Sequence, residues 1–162
     1  MKTNHLTLAS LLVALGTLTG NLIYIPVGVA RAFPVQHLIN ILGAVLLGPF
    51  YAVLDAFLIS FLRNLLGTGS LLAFPGSMIG ALLAGLFYRY FNRTEAAIIG
   101  EIFGTGILGA LFAYPIASLL MGSKTGLFFF IPSFLLSSGG GAIIAYFFFK
   151  VLEKSNTLEF NK

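Results

Sequence analysis

Cysteine and tryptophan are absent from this chain, and only 9% of its 162 residues are charged. Without cysteine there are no disulfides, no thiolate nucleophiles and no cysteine metal ligands, and nothing marks the redox compartment. The two histidines, His5 and His37, lie too far apart for a helical metal-ligand pair. Acids are limited to Asp55, Glu95, Glu101, Glu153 and Glu159. No polar stretch is long enough to form a second, soluble domain. The formal net charge of +4 comes from basic residues that stand singly at the ends of apolar runs, a pattern that argues against a nucleic-acid surface.

What is present is apolar. Hydrophobic residues make up 58% of the chain and the mean hydropathy is +1.00, whereas soluble proteins carry about 25% charged residues. The expected fold class is therefore an all-α membrane protein, residues 1–162 forming a single membrane domain with a frayed tail at 155–162. Six runs read as crossings: 6–25, 35–47, 50–66, 71–91, 96–121 and 127–152. A bilayer crossing takes about 20 residues, so the second run, cut off by Gly48-Pro49, predicts a short or strongly tilted helix. The first run, behind Lys2, also fits the start of a signal peptide, but no small-x-small cleavage site follows and a retained helix is expected. Residues 25–33 read as a loop at the membrane surface. Six crossings put both termini on one side. With cytoplasmic termini, Lys2, Arg89, Arg93, Lys150, Lys154 and Lys162 lie inside against Arg31, Arg63 and Lys124 outside, the bias of the positive-inside rule.

That orientation gathers the polar groups at one level. Gln36, His37, Asn40, Arg63, Asn64, Ser70, Ser77, Tyr114, Ser133 and Ser137 all fall in the outer half, with Ser138 beside them. Gln36, His37 and Asn40 are three and four apart, on one face of a helix. Polar clusters at membrane depth are costly and mark functional sites, so these ten residues are the candidate substrate contacts. The plainer alternatives are hydrogen bonding between packed helices for the serines, snorkelling for Arg63 and interfacial anchoring for Tyr114. Asp55 and Glu101 fall in the inner halves of their helices, away from the cluster. They motivate a proton-coupled carrier as an alternative. An intramembrane enzyme would need a nucleophile and an oriented base, and no acid stands near His37 in sequence to orient it. With all acids placed inward, the outer half disfavours a cationic substrate and accepts a neutral heterocycle.

The segments ARAFPVQHLIN at 30–40, LLGPFYA at 46–52, SFLRNLLGTGSLLAFPGSM at 60–78 and LLAGLFYR at 82–89 resemble the substrate-binding S components of energy-coupling factor (ECF) vitamin transporters. The ThiW family, associated with the thiazole precursor of thiamine, is the most similar. The resemblance implies a six-helix subunit of the cell membrane that captures hydroxyethylthiazole, a small neutral heterocycle, from outside. It further implies docking onto a transmembrane T subunit driven by two ATPase subunits. The chain itself would be no enzyme and hold no cofactor or metal; it has no GxxxxGK[ST] sequence, and ATP would be used only by its partners. S components carry an alanine-x-x-x-alanine pattern in the first helix that meets the T subunit, and Ser10 and Ala14 are the matching pair here. An S component for another small vitamin is the nearest alternative.

Overall fold

The computed structural model describes residues 3–27 and 30–155. Lys2 and most of the expected frayed tail, 156–162, lie outside the described residues. Within them the chain forms α1 (Thr3–Leu22), a β-hairpin of β1 (Ile25–Val27) and β2 (Ala30–Ala32), α2 (Pro34–Leu47), α3 (Pro49–Leu65), α4 (Ala73–Phe91), α5 (Thr94–Leu119) and α6 (Ile131–Lys154). Two of the six helices, α5 and α6, are long and apolar enough to cross a membrane.

Proline and glycine set the boundaries. Pro34 and Pro49 occupy the first turns of α2 and α3, where a missing N–H costs nothing. Gly48 alone separates these helices, at φ +86°, a conformation that a side chain would strain. The stretch 25–33, expected as an irregular loop, instead pairs antiparallel with Ile25 opposite Ala32 and Val27 opposite Ala30. The β-branched residues favour the extended chain, and a two-stranded ribbon tolerates Pro26 because every strand is an edge.

Helix α2 is the centre of the bundle. It touches all five other helices, and Gln36, His37 and Asn40 are buried with the apolar side chains around them. The interior mixes large side chains such as Ile41, Ile59 and Phe149 with many small ones: Ala52, Ala56, Ala81, Ala84, Ala110, Ala113 and Ala145 are buried, while Leu18, Phe61, Leu86, Ile99, Phe112, Ile143 and Phe147 face outward. Many small residues inside and large apolar ones outside is the packing of helices in lipid, where close backbone approach replaces the hydrophobic effect.

Helices α4 and α5 pack backbone against backbone. A β-carbon on Gly109 would fall 2.5 Å from the Gly76 Cα, and one on Gly100 would fall 2.6 Å from the Leu83 carbonyl oxygen. Between these contacts α5 widens into a π-helical turn at Gly104–Gly109, a feature that often marks functional sites.

Helix lengths leave room at one end. At 1.5 Å per residue, the 14 residues of α2 span about 21 Å and the 26 of α5 about 39 Å. His37, in the first turn of α2, meets Glu101 in the second turn of α5. Most of α5 therefore extends beyond the start of α2, and the space above α2 is not filled by that helix.

Candidate functional site

That space is a cavity of about 580 Å³ at the end of the bundle where α2, α4 and α6 begin, within the range of about 300 to 1,000 Å³ usual for small-molecule sites. Its floor is the first turn of α2, with Phe33, Gln36 and His37. Its sides come from the α3–α4 turn (Gly67 to Ser70), the start of α4 (Gly76, Ser77), the end of α5 and the residues after it (Ala117, Met121) and the start of α6 (Phe130, Ser133, Phe134), while Ser137 reaches the floor beside Phe33.

Beneath the floor runs one buried polar network. The Gln36 amide nitrogen donates to Ser60 Oγ at 3.1 Å and to Ser77 Oγ at 3.0 Å, while its oxygen accepts from Arg63 Nη1. The Asn40 amide nitrogen donates to Ser77 Oγ at 3.0 Å and to Glu101 Oε1 at 2.9 Å. It also donates to the Ser77 carbonyl at 3.2 Å, an acceptor-only group that fixes which end of the amide is nitrogen. Glu101 Oε1 then meets His37 Nδ1 at 2.7 Å and Thr105 Oγ1 at 2.9 Å. The π turn supports this last contact, because Thr105 is also 3.0 Å from the Gly76 carbonyl. The network thus has a guanidinium at one end and a carboxylate at the other. Both are buried, Arg63 at 1% and Glu101 at 0% relative exposure; the Gln36 and Asn40 amides and Ser77 link them, and Arg63 Nε and Glu101 Oε2 have no hydrogen-bond partner.

Six of the ten sequence candidates line the cavity: Gln36, His37, Ser70, Ser77, Ser133 and Ser137. Asn40, Arg63 and Asn64 stand behind the wall. Arg63 Nη2 donates to the Thr68 carbonyl at 3.1 Å, and the Asn64 amide to the Ser60 and Ser70 carbonyls at 2.8 and 3.1 Å, so these side chains hold the α3–α4 turn in place. Tyr114, half-buried on α5, is not among the lining residues. Ser138 donates back to the Phe134 carbonyl at 2.9 Å.

One expectation is corrected. Glu101 does not lie apart from the polar cluster; its Oε1 stands 2.7 Å from His37 Nδ1 and accepts from the Asn40 amide. Distance from the end of its own helix puts Glu101 in the inner half, whereas the short α2 begins deep in the bundle and brings His37 down to it. An acid therefore does orient His37. Still, no hydroxyl in the described residues hydrogen-bonds to His37, so the nucleophile of a catalytic triad has no counterpart. Asp55 remains apart: it is buried, both its oxygens lack a hydrogen-bond partner, and a β-carbon on Gly43 of α2 would stand 3.6 Å from Oδ2. Among the described residues no three His, Cys, Asp or Glu side chains gather as metal ligands.

On α1, Ala9, Val13, Gly16, Thr17 and Gly20 face the bundle. Ser10 and Ala14 lie on the exposed side, and the Ser10 hydroxyl turns back to the Leu6 carbonyl at 2.9 Å.

A cavity of this size, lined by phenyl rings and hydroxyls, suits a small-molecule ligand. Residues 6–155 match the family model described as thiamine-precursor transporter protein (ThiW). The chain belongs to the ThiW family. No curated protein and no solved structure matches it. Membership makes this chain a membrane transporter protein and places its small-molecule cavity in a transport context, in agreement with the two membrane-competent helices. ThiW is a family of transporters.

Proposed function

We propose that this ThiW-family chain is the substrate-binding subunit of an ECF-type importer that captures hydroxyethylthiazole from outside the cell. The observation that carries the reading is the cavity itself: it is lined by phenyl rings and a few hydroxyls and lies at the end of the bundle where α2, α4 and α6 begin. All six helices cross the cell membrane in this reading, as one domain, with the termini cytoplasmic and the cavity facing outward. The positive-inside bias supports that orientation. Substrate contacts are drawn from Gln36, His37, Asn40, Arg63, Asn64, Ser70, Ser77, Tyr114, Ser133 and Ser137, either at the cavity surface or through the network behind it. A T subunit and two ATPase subunits supply the energy, since the sequence holds no GxxxxGK[ST] loop. The exposed Ser10–Ala14 stripe of α1 is the docking face, because small residues there let a partner helix approach closely.

A neutral substrate remains favoured although Glu101 belongs to the site. The carboxyl group is fully buried, does not line the cavity and has Oε1 engaged with His37 and Asn40, so the cavity presents no free anion to a cation.

Expression in a thiazole-requiring cell tests the reading. Accumulation of hydroxyethylthiazole is expected only with the T and ATPase subunits, while the purified chain alone binds it more tightly than thiamine or pantothenate. Tighter binding of pantothenate would assign the chain to another vitamin. Uncoupler-sensitive accumulation without partners would favour a proton-coupled carrier, the second reading, for which the buried, unpartnered Asp55 is the specific observation.

A further inference from the structure

We propose that Glu101 is a positioning residue that makes His37 the hydrogen-bond acceptor of the cavity, so that the site selects its ligand through a hydroxyl donated to His37 Nε2. This rests on the cavity being the substrate site, and it follows from asking which polar atoms remain available there.

Most are already engaged. Both ends of the Gln36 amide are bonded, to Ser60, Ser77 and Arg63. Ser77 Oγ sits between the Gln36 and Asn40 amides, and the Ser133 hydroxyl donates to the Phe130 carbonyl at 3.0 Å. Two groups are left at the floor. Ser137 Oγ accepts from the Phe33 N–H at 2.7 Å, which leaves its own proton to donate. His37 engages Nδ1 with Glu101 at 2.7 Å, which leaves Nε2 as its free ring nitrogen.

The role of Nε2 depends on where the imidazole proton sits. Glu101 Oε1 already accepts from the Asn40 amide at 2.9 Å and lies 2.9 Å from the Thr105 hydroxyl. An oxygen surrounded by donors is a carboxylate oxygen, so Nδ1 carries the proton and donates it. The sum of charges points the same way. Arg63 is permanently cationic, so with Glu101 ionised a second proton on His37 would leave the buried set of Arg63, Glu101 and His37 with a net positive charge. A neutral imidazole protonated at Nδ1 has a lone pair at Nε2. The floor then offers one acceptor, His37 Nε2, and one donor, Ser137 Oγ–H. A ligand with a hydroxyl and a bare ring nitrogen answers both.

The test uses the purified full chain in nanodiscs, with the His5→Gln variant leaving His37 as the single histidine. Nitrogen-15 NMR of labelled histidine is expected to show Nδ1 protonated and Nε2 bare, with the Nε2 resonance moving when hydroxyethylthiazole is added. A proton on Nε2 in the free protein would overturn the proposal. In parallel, hydroxyethylthiazole is compared with its deoxy analogue, in which hydrogen replaces the hydroxyl. Wild type is expected to prefer the hydroxyl compound roughly 5- to 150-fold, the effect of leaving one buried partner unsatisfied. Glu101→Leu, which removes the acceptor for Nδ1, is expected to lose that preference while still binding the deoxy analogue. Glu101→Gln keeps an acceptor oxygen and is expected to restore it. Equal binding of the two compounds by wild type would overturn this proposal alone, whereas failure of wild type to bind either would overturn the substrate reading with it.

Discussion

The guanidinium carbon of Arg63 stands 3.8 Å from the centroid of the Phe33 ring. Phe33 lines the cavity and its N–H anchors Ser137, while Arg63 reaches on to the Gln36 amide and the Thr68 carbonyl. One cation behind one ring thereby ties the floor of the cavity to the α3–α4 turn at its side. Stacking of a guanidinium on an aromatic face contributes about 0.5 to 2 kcal/mol.

Arg63→Met should therefore weaken substrate binding although Arg63 does not line the cavity. Losing the donor to buried Gln36 costs about 1 to 3 kcal/mol, roughly a 5- to 150-fold loss of affinity if it falls on the bound state. Arg63→Lys should recover little, because an ammonium cannot serve Gln36, Thr68 and the ring together. Calorimetric titration of the folded variants checks this, with limited proteolysis at 67–70 reporting whether the turn has loosened.

The α4–α5 interface should be intolerant of one methyl group. Gly109→Ala and Gly100→Ala push a β-carbon into backbone atoms of α4, and each is expected to destabilise by about 1 to 3 kcal/mol. Gly139→Ala is the control: no atom stands within 4 Å of its β-carbon position, and exchanging a helical glycine for alanine should stabilise by about 0.5 to 1 kcal/mol. Thermal denaturation in detergent separates the two outcomes.

Asp55 should be a cost to the fold. Its buried oxygens have no hydrogen-bond partner, and an unsatisfied polar group in apolar surroundings costs roughly 1 to 3 kcal/mol. Asp55→Val, close in volume, is expected to raise the thermal midpoint and leave hydroxyethylthiazole affinity unchanged. Uptake with all partner subunits present decides the residue's role: unaltered transport assigns it none, and lost transport with intact folding assigns it to the transport step.

Ala14→Leu should separate binding from transport. The side chain is exposed and away from the cavity, so ligand affinity is expected to stay within about twofold, in line with the small effects of surface changes. The added bulk would block close approach of a partner helix. Co-purification of the T subunit with the variant is expected to fall, together with uptake. Full co-purification would move the docking face off the Ser10–Ala14 stripe.

The six helices were legible in the sequence because apolar runs and their Pro and Gly boundaries are local properties. Gly48-Pro49 ends α2 and starts α3 whatever surrounds them. The gathering of Gln36, His37, Ser77 and Ser137 was legible too, since the order of the runs decides which ends meet. The path of 25–33 was not: Pro26 and Gly28 read as an irregular turn, and pairing of Ile25 with Ala32 depends on the two short segments meeting in register. Nor could the sequence choose between small-residue stripes on α1. Gly16–Gly20 packs against Ile59 and Arg63 while Ser10–Ala14 faces outward, a matter of helix rotation that spacing leaves open.

By itself, then, the sequence determined the apolar class of this protein, its helices and the end of the bundle where its polar groups collect, because each of these follows from composition and chain order. The tertiary structure alone decided the depth at which those groups meet. Helix α2 is short enough to begin inside the bundle, and its packing against α4 and α5 sets its position along their axes. That position carries His37 down to Glu101, fixes Asn40 between Ser77 and Glu101, and leaves the cavity open above them.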